Sequence, residues 1–330
     1  MFFWTAVKEN NMSENVTKMH RPVISLCIPT NGIAEWVIPV IDNIYSQGVD
    51  CSEFEVVVTD NGKNDDFKKV MEGYASLHPN LKYSKNDSYM FYNQIEALNI
   101  AEGIYLKFLN HRTLLEKGAL SKLISIIHNN ESTKPVLYFS NGVIKGKPKL
   151  IECTTFDEFV RELGIFASWT TGVGIWSEDY NRIKNDLVID EISPHSCVLF
   201  SKRKEKSYKI YNFVFSKEVT DDHSKKGTYN LFKAFAVEEP TITVNLYKNG
   251  DVSLKTLKKV LKDYRRFVSD LYFDFCVIKK KCSYDLSGFA EATAVYYSKN
   301  RVVAESYLRG CVRYTVAFLA EIKDKIKRRI

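Results

Sequence analysis

The run VISLCIP (Val23–Pro29) is apolar from end to end and is closed by a proline. A second run, FEVVVTD (Phe54–Asp60), is rich in β-branched valine and leads into Asp60-Asn61-Gly62. Neither alternates apolar with polar residues, so both read as strands covered on two faces, as in a parallel sheet. Between them Trp36, Val37, Val40, Ile41, Ile44 and Tyr45 recur at helical spacing. That spacing predicts a crossover helix over residues 34–46 and makes the whole a βαβ unit.

The unit repeats downstream. FKKVMEGYASL reads as a helix, LKYSKN as a short strand, NQIEALNIA as a helix followed by Gly103, IYLKFL as a strand and GALSKLISIIH as a further helix. PVLYFSNGVI adds a strand, and TTFDEFVREL a helix in which Thr155 and Glu158 have capping-box spacing. From residue 251 the pattern changes to two long helical stretches separated by Lys279, Lys280 and Lys281. The expected architecture is α/β, a Rossmann-like, mostly parallel mixed sheet flanked by helices, with a helical C-terminal region. The expected organisation is a flexible segment 1–20, an α/β domain 21–240 and a helical region 241–330.

The 330 residues are 45% hydrophobic and 26% charged, which fits a globular chain able to bury a large core. The formal charge is +7, but residues 301–330 alone hold eight Lys or Arg against three Asp or Glu. A local cationic tail suits a membrane surface or a solvated face better than a nucleic-acid groove. The seven cysteines are scattered, with neither zinc-ligand nor CxxC spacing, and read as thiols in a reducing compartment. No stretch approaches the roughly 20 apolar residues needed to span a bilayer. The expected location is cytoplasmic, at the inner face of the membrane if the tail docks there.

Ligands of open α/β sheets sit beyond the carboxyl ends of the strands. Those ends supply Pro29-Thr30-Asn31, Asp60-Asn61-Gly62, Lys85-Asn86-Asp87 and Asn110-His111-Arg112-Thr113. No GxGxxG follows the first strand and no GxxxxGK[ST] occurs, which argues against a dinucleotide oxidoreductase and a P-loop NTPase.

ISLCIPTNG, EVVVTDNGKNDD, FYNQIEALNIAEGIYLKFLN and LLEKGALSKL, in this order, resemble the nucleotide-sugar half of family 2 glycosyltransferases of the GT-A fold. The abequosyltransferase-like branch, which builds bacterial surface polysaccharide, is the most similar, and the likeness covers residues 22–215. It implies that Pro29, Thr30 and Asn31 line a base and ribose. Asp60 would accept a hydrogen bond from the ring N–H of a uracil-like base, with Asn61 beside it. Pro29 as a strand stop and Asp60-Asn61-Gly62 as a plain turn remain open alternatives. Asn93 either bonds the nucleotide or holds the loop after Lys85 and Asn86.

In the family the fourth strand ends in an Asp-rich turn that holds Mg²⁺ or Mn²⁺ on the diphosphate. Here Asn110 is followed by His111, Arg112 and Thr113. Arg112, helped by His111 and Lys85, is expected to take over the metal's electrostatic role, so that neither cation is essential. A decayed site and a solvated loop cation are the competing readings. Inverting transfer also needs a base, and its place in the family falls on LVIDEISPHSCVLF, where Asp190, His195 and Glu191 are candidates. The same residues also read as a helix start and its cap. WTTGVGIWSED resembles the acceptor-side strand, in which Trp169 and Trp176 serve either as core or as a sugar platform, and Gly172 and Gly174 allow close backbone approach.

His223, with Asp221, Asp222, Lys225 and Lys226, reads as a lid or as an ordinary exposed loop. The tail residues Val312, Val316, Phe318, Leu319 and Ile322 lie among basic residues and suit an anionic membrane, packing on the enzyme, or a homodimer. The resemblance implies transfer of a sugar from a nucleoside diphosphate to a glycan or lipid-linked glycan. The rival expectation is a non-catalytic scaffold of the same fold.

Overall fold

The computed structural model describes residues 21–201, 207–219 and 227–327, the last stretch without side chains at 317, 318 and from 320 on. The segment 1–20 and the loop residues Asp221, Asp222, His223, Lys225 and Lys226 lie outside the described residues. The first strands are β1 (Ile24–Thr30), β2 (Phe54–Asp60), β3 (Leu81–Lys85) and β4 (Tyr105–Phe108). Helices α1 (Ala34–Tyr45), α2 (Asp65–Leu77) and α3 (Asn93–Ile100) join them. Then follow β5 (Thr113–Leu115), α4 (Ala119–Asn130), β6 (Val136–Phe139), β7 (Leu150–Cys153), α5 (Phe156–Leu163), β8 (Gly174–Trp176), α6 (Ser177–Ile183), α7 (Pro194–Leu199), β9 (Tyr208–Tyr211) and β10 (Ser216–Glu218).

The main sheet has the order β3-β2-β1-β4-β8, parallel except for β8, which runs antiparallel to β4. β1 and β2 are buried along almost their whole length, which is why neither alternates in sequence. α1 turns Trp36, Val37, Val40, Ile41 and Ile44 onto this sheet. α2 starts at Asn64, whose side chain accepts from the N–H groups of Asp66 and Phe67. At α5, Thr155 accepts from the Glu158 N–H as its spacing implied, but the Glu158 carboxylate reaches back to Thr154 rather than to Thr155. Two small sheets, β6-β9-β7 and β10-β5, flank the main one.

The register fixes what meets at the carboxyl edge. Thr30 pairs with Asp60 and Asp60 with Lys85, so three strand ends stand level. β4 ends at Phe108, opposite Cys27, and the residues after it therefore reach the height of Thr30. The strand order reverses between β1 and β4, and the crevice at such a switch is where α/β sheets bind ligands.

Beyond the sheets, α8 (Leu231–Lys233) runs through a π turn, Ala234–Glu238, into α9 (Glu239–Lys248). α10 (Leu254–Tyr272) is extended by a second π turn, Phe273–Val277, and α11 (Phe289–Ala294) and α12 (Lys299–Lys327) follow. α11 was not foreseen; six residues give too few turns for a periodicity to show. α10 presents Val260 and Tyr264 to the core behind the main sheet. α12 lies beside α10 through Arg265–Glu305 at 2.8 Å, Arg309–Asp270 at 2.5 Å and Arg313–Asp274 at 2.9 Å.

Gly172 and Gly174 serve the chain's own packing. A Cβ on Gly172 would overlap the Tyr138 ring and one on Gly174 the Tyr105 ring. Tyr138 is fully buried and donates its hydroxyl to the Phe166 carbonyl, so its ring has nowhere to move. Gly172→Ala is expected to destabilise the protein by about 1–3 kcal/mol through overpacking. A urea midpoint unchanged from the parent protein would show that the ring yields.

Candidate active site

Four strand ends and the turn after β4 build one surface. Asn93, buried at the start of α3, donates its amide hydrogens to the carbonyls of Thr30 (3.0 Å) and Thr59 (2.9 Å), while its oxygen accepts from Asn86. Both its amide hydrogens and its oxygen are engaged within the protein. Asn61 extends the same lattice by donating to the carbonyls of Ser88 and Met90.

Asp60 is fully buried. One carboxylate oxygen accepts from the Gly62 N–H at 2.7 Å; the other accepts from the Tyr83 hydroxyl at 3.0 Å and from Lys85 Nζ at 3.1 Å. A base could reach it only if Tyr83 or Lys85 moved aside. Lys85, expected to help with diphosphate charge, is instead neutralised by Asp60 and also bonds the Gly62 carbonyl. Gly62 has no room for a side chain because the Asn31 carbonyl lies against it. At the end of β1 Asn31 is exposed and Pro29 half-buried.

The turn after β4 folds back onto that end. Asn110 accepts from the Arg112 N–H, and its own N–H donates to Thr171. His111 Nδ1 lies 2.9 Å from the Thr30 hydroxyl, and its ring meets Trp36 edge-on at 5.2 Å. Burial, aided by the charge of Arg112, pushes the His111 pKa down to about 3. The imidazole is therefore neutral near pH 7 and adds no positive charge, contrary to the sequence expectation. Arg112 is the cation of this turn. Its guanidinium stands 5.6 Å from the Trp36 ring and pairs with Glu218 at 2.9 Å, yet Nη1 is buried and has no hydrogen-bond partner among the described residues.

The helical region roofs this corner. Tyr229 packs on Phe91 at 5.7 Å and on Tyr284 at 5.2 Å. Burial pushes the pKa of both phenols up and the nearby Arg112 charge pulls against it. Next to Phe91 in the chain, the Tyr92 hydroxyl reaches the carbonyl of Ile189, the residue before Asp190, at 3.5 Å. Asp190 Oδ1 accepts from the N–H groups of Ile192 and Ser193, and Oδ2 has no partner among the described residues. Glu191 is exposed. His195 is buried with Nε2 donating to the Ser168 carbonyl and Nδ1 facing Gln94, and burial holds its pKa down at about 4. Neither ring nitrogen faces the crevice. Trp176 is core: its ring packs on Tyr105 and its N–H donates to the Pro135 carbonyl, which leaves no face for a sugar. Trp169 is half-buried against Phe215.

A carboxamide, a neutral imidazole bonded to Thr30 and a guanidinium do not make a site for a hard divalent cation, which prefers several oxygen ligands. No group of three His, Cys, Asp or Glu placed to hold a metal occurs among the described residues. Trp36, Glu218, Tyr229 and Tyr284 went unrecognised as parts of the site, because a helix-face tryptophan, a short edge strand and two distant tyrosines carry no motif.

The glycosyl transferase family 2 profile matches residues 25–205, more than half of the chain. The protein belongs to that family. Among curated proteins it is similar to the GalNAc(5)-diNAcBac-PP-undecaprenol beta-1,3-glucosyltransferase of Campylobacter jejuni, at 24% identity over 274 residues, 79% of this chain and 80% of the relative. S. aureus TarS 1–349 in complex with UDP has the same fold, with TM-score 0.53 and 18% identity over 78% of this chain and 75% of TarS. The complex of that fragment with UDP-GlcNAc matches at TM-score 0.52 and 17% identity over 76% and 73%. The enzyme is thus a glycosyltransferase whose mostly parallel sheet carries the family's crevice, with a cationic turn at its mouth.

Beneath Asp190, Glu239 of α9 is buried, accepting from the Ser193 hydroxyl at 2.5 Å and from the Tyr264 hydroxyl at 3.1 Å. Burial pushes its carboxyl up to about 7 against the pull of those two bonds. The folded protein then keeps a proton that the unfolded chain releases near pH 4.5, so the group stabilises fully below that pH and the contribution is lost as pH rises through 7. His111 and His195 act in the opposite sense, and comparison with Glu239→Gln cancels them. Urea unfolding of both proteins from pH 4.5 to 7.5 should show the parent losing ground to the variant as pH rises; a difference independent of pH would mean Glu239 ionises normally.

Proposed function

We propose that this glycosyltransferase moves a sugar, with inversion, from a UDP-like nucleoside diphosphate to a glycan hydroxyl in bacterial surface polysaccharide synthesis, and needs no divalent cation. The carrying observation is Arg112 at the switch of the sheet, where the resembled family has an Asp-rich turn, with a buried guanidinium nitrogen that has no hydrogen-bond partner among the described residues. A permanent cation there takes up the charge that develops on the leaving diphosphate, and its planar fork suits phosphate oxygens. Asn31 and Pro29 border the nucleotide, and Asp60, Asn61, Lys85, Asn86 and Asn93 hold the strand ends that shape its pocket.

Asp190 is the proposed base. It removes the acceptor hydroxyl proton while that oxygen attacks the anomeric carbon, and the bond from that carbon to the diphosphate oxygen breaks with its electron pair leaving on the nucleotide. Its Oδ2, without a hydrogen-bond partner among the described residues, favours it over His195, whose nitrogens are engaged, and over Glu191, which is exposed. Transfer in the presence of EDTA should match transfer with Mg²⁺. Arg112→Ala should lower kcat ten-fold or more, a loss of at least ~1.4 kcal/mol. Asp190→Asn should be nearly inactive while Glu191→Gln is not. Loss of activity on chelation, or unchanged kinetics for Arg112→Ala, rules out the metal-free mechanism.

The acceptor we propose is a lipid-linked glycan met at the cytoplasmic face of the membrane. The C. jejuni relative is named for an undecaprenol-linked substrate. Along α12 Leu308, Val312, Val316 and Leu319 are 58 to 72% exposed, on a helix whose sequence is strongly basic toward its end. No helix among the described residues is long and apolar enough to cross a membrane, so contact through this stripe would be interfacial. Co-sedimentation with phosphatidylglycerol vesicles should be lost in Leu308→Ser/Val312→Ser. Retained binding excludes the stripe as the anchor, and a dimer broken by the same changes would assign the stripe to a second copy.

A further inference from the structure

A cavity of about 780 Å³ opens between the segment that follows α6, the end of α7 and α9. Asp190 lines one end of it, and Arg182 and Asn249 are also on its wall. The cavity is distinct from the Arg112 corner, and no part of the donor reading uses it. Its charges among the described residues lean the other way: Asp186, Asp190 and Glu238 line it, against the guanidinium of Arg182, itself 3.8 Å from Asp179, and the ammonium of Lys233, which pairs with Glu238 at 3.0 Å. With Glu238 matched by Lys233, it is Asp186 and Asp190 that disfavour a diphosphate or a uronic acid there. Carboxylates and carboxamides such as Asn245 and Asn249, set among aliphatic walls such as Leu187 and Ile242, instead suit a ligand dense in hydroxyls with apolar ring faces. The volume lies within the usual range for bound small molecules of a few rings.

We infer that this cavity binds the uncharged, non-reducing end of the acceptor glycan and delivers its terminal hydroxyl to Asp190. The assignment rests on Asp190 being the base. The two substrates are then sorted by charge, the anionic donor toward Arg112 and the neutral acceptor toward the acidic wall. α9, in the helical region, thereby becomes part of the substrate site.

The test uses the full-length protein and two panels of probes: neutral hexose and N-acetylhexosamine trisaccharides, and trisaccharides carrying a uronic acid. Saturation-transfer NMR should detect at least one neutral trisaccharide and none of the acidic ones. Asn245→Trp places an indole in the cavity from an exposed helix position and should weaken that binding ten-fold or more. Asn249→Trp is a second variant, and equal unfolding midpoints check that both are folded. Overturning results are neutral binding unaffected by either folded variant, binding of the acidic panel alone, or no binding by the parent protein. UDP titrated into the parent protein tests the donor reading separately: UDP binding without trisaccharide binding removes the cavity assignment alone, while a trisaccharide bound without UDP removes the donor reading and leaves the cavity.

Discussion

The site depends on one buried carboxamide. Asn93 joins the last carbonyl of β1, that of Thr30, to the Thr59 carbonyl one residue before the end of β2, and its oxygen takes a hydrogen from Asn86 on the next strand's loop. At a strand end the ladder stops and backbone groups need other partners; the Thr30 carbonyl accepts from the Asn61 N–H at 3.1 Å as well as from Asn93. With those groups bonded by a side chain, the strand ends are fixed in the register that stands Thr30, Asp60 and Lys85 level. The turn after β4 can then close on Thr30 through His111. Everything that faces the crevice is hung from this frame.

The electrostatic design follows from which charges are already matched. Lys85 and Asp60 cancel within the floor, and burial strips His111 of its proton. What remains at the mouth is Arg112, paired among the described residues with Glu218 on one edge. A cation supported by Trp36 and bordered by Tyr229 and Tyr284 keeps its orientation without being fully neutralised. The sheet and the helical region therefore share the donor corner, although they are far apart in sequence.

Much of this was legible in the chain. The unbroken apolar runs at 23–29 and 54–60 gave parallel strands, and the spacing of Trp36 to Tyr45 gave the crossover helix, because burial on two faces and on one stripe leave different periods. The turn at Asn110-His111-Arg112 stood out because the residue types were wrong for a metal. The state of those side chains was not legible: a sequence does not tell that His111 is buried beside Arg112, or that Lys85 turns inward to Asp60. Trp176 stayed open between core and platform for the same reason. A tryptophan near glycines fits a sugar platform as well as a core, and only the packing of Tyr105 and Tyr138 against those glycines separates the two.

The ion pairs between α10 and α12 change polarity along the seam. Arg265 of α10 meets Glu305 of α12, whereas Asp270 and Asp274 meet Arg309 and Arg313. If α12 slid one turn, about 5.4 Å, in one direction, Arg309 would come to face Arg265; in the other, Glu305 would face Asp270. Each displaced alignment keeps one opposite pair, Arg313 on Asp270 or Arg309 on Asp274, but sets one like pair together, so the swapped signs favour the observed alignment of the two rods and with it how far α12 projects from the body of the enzyme.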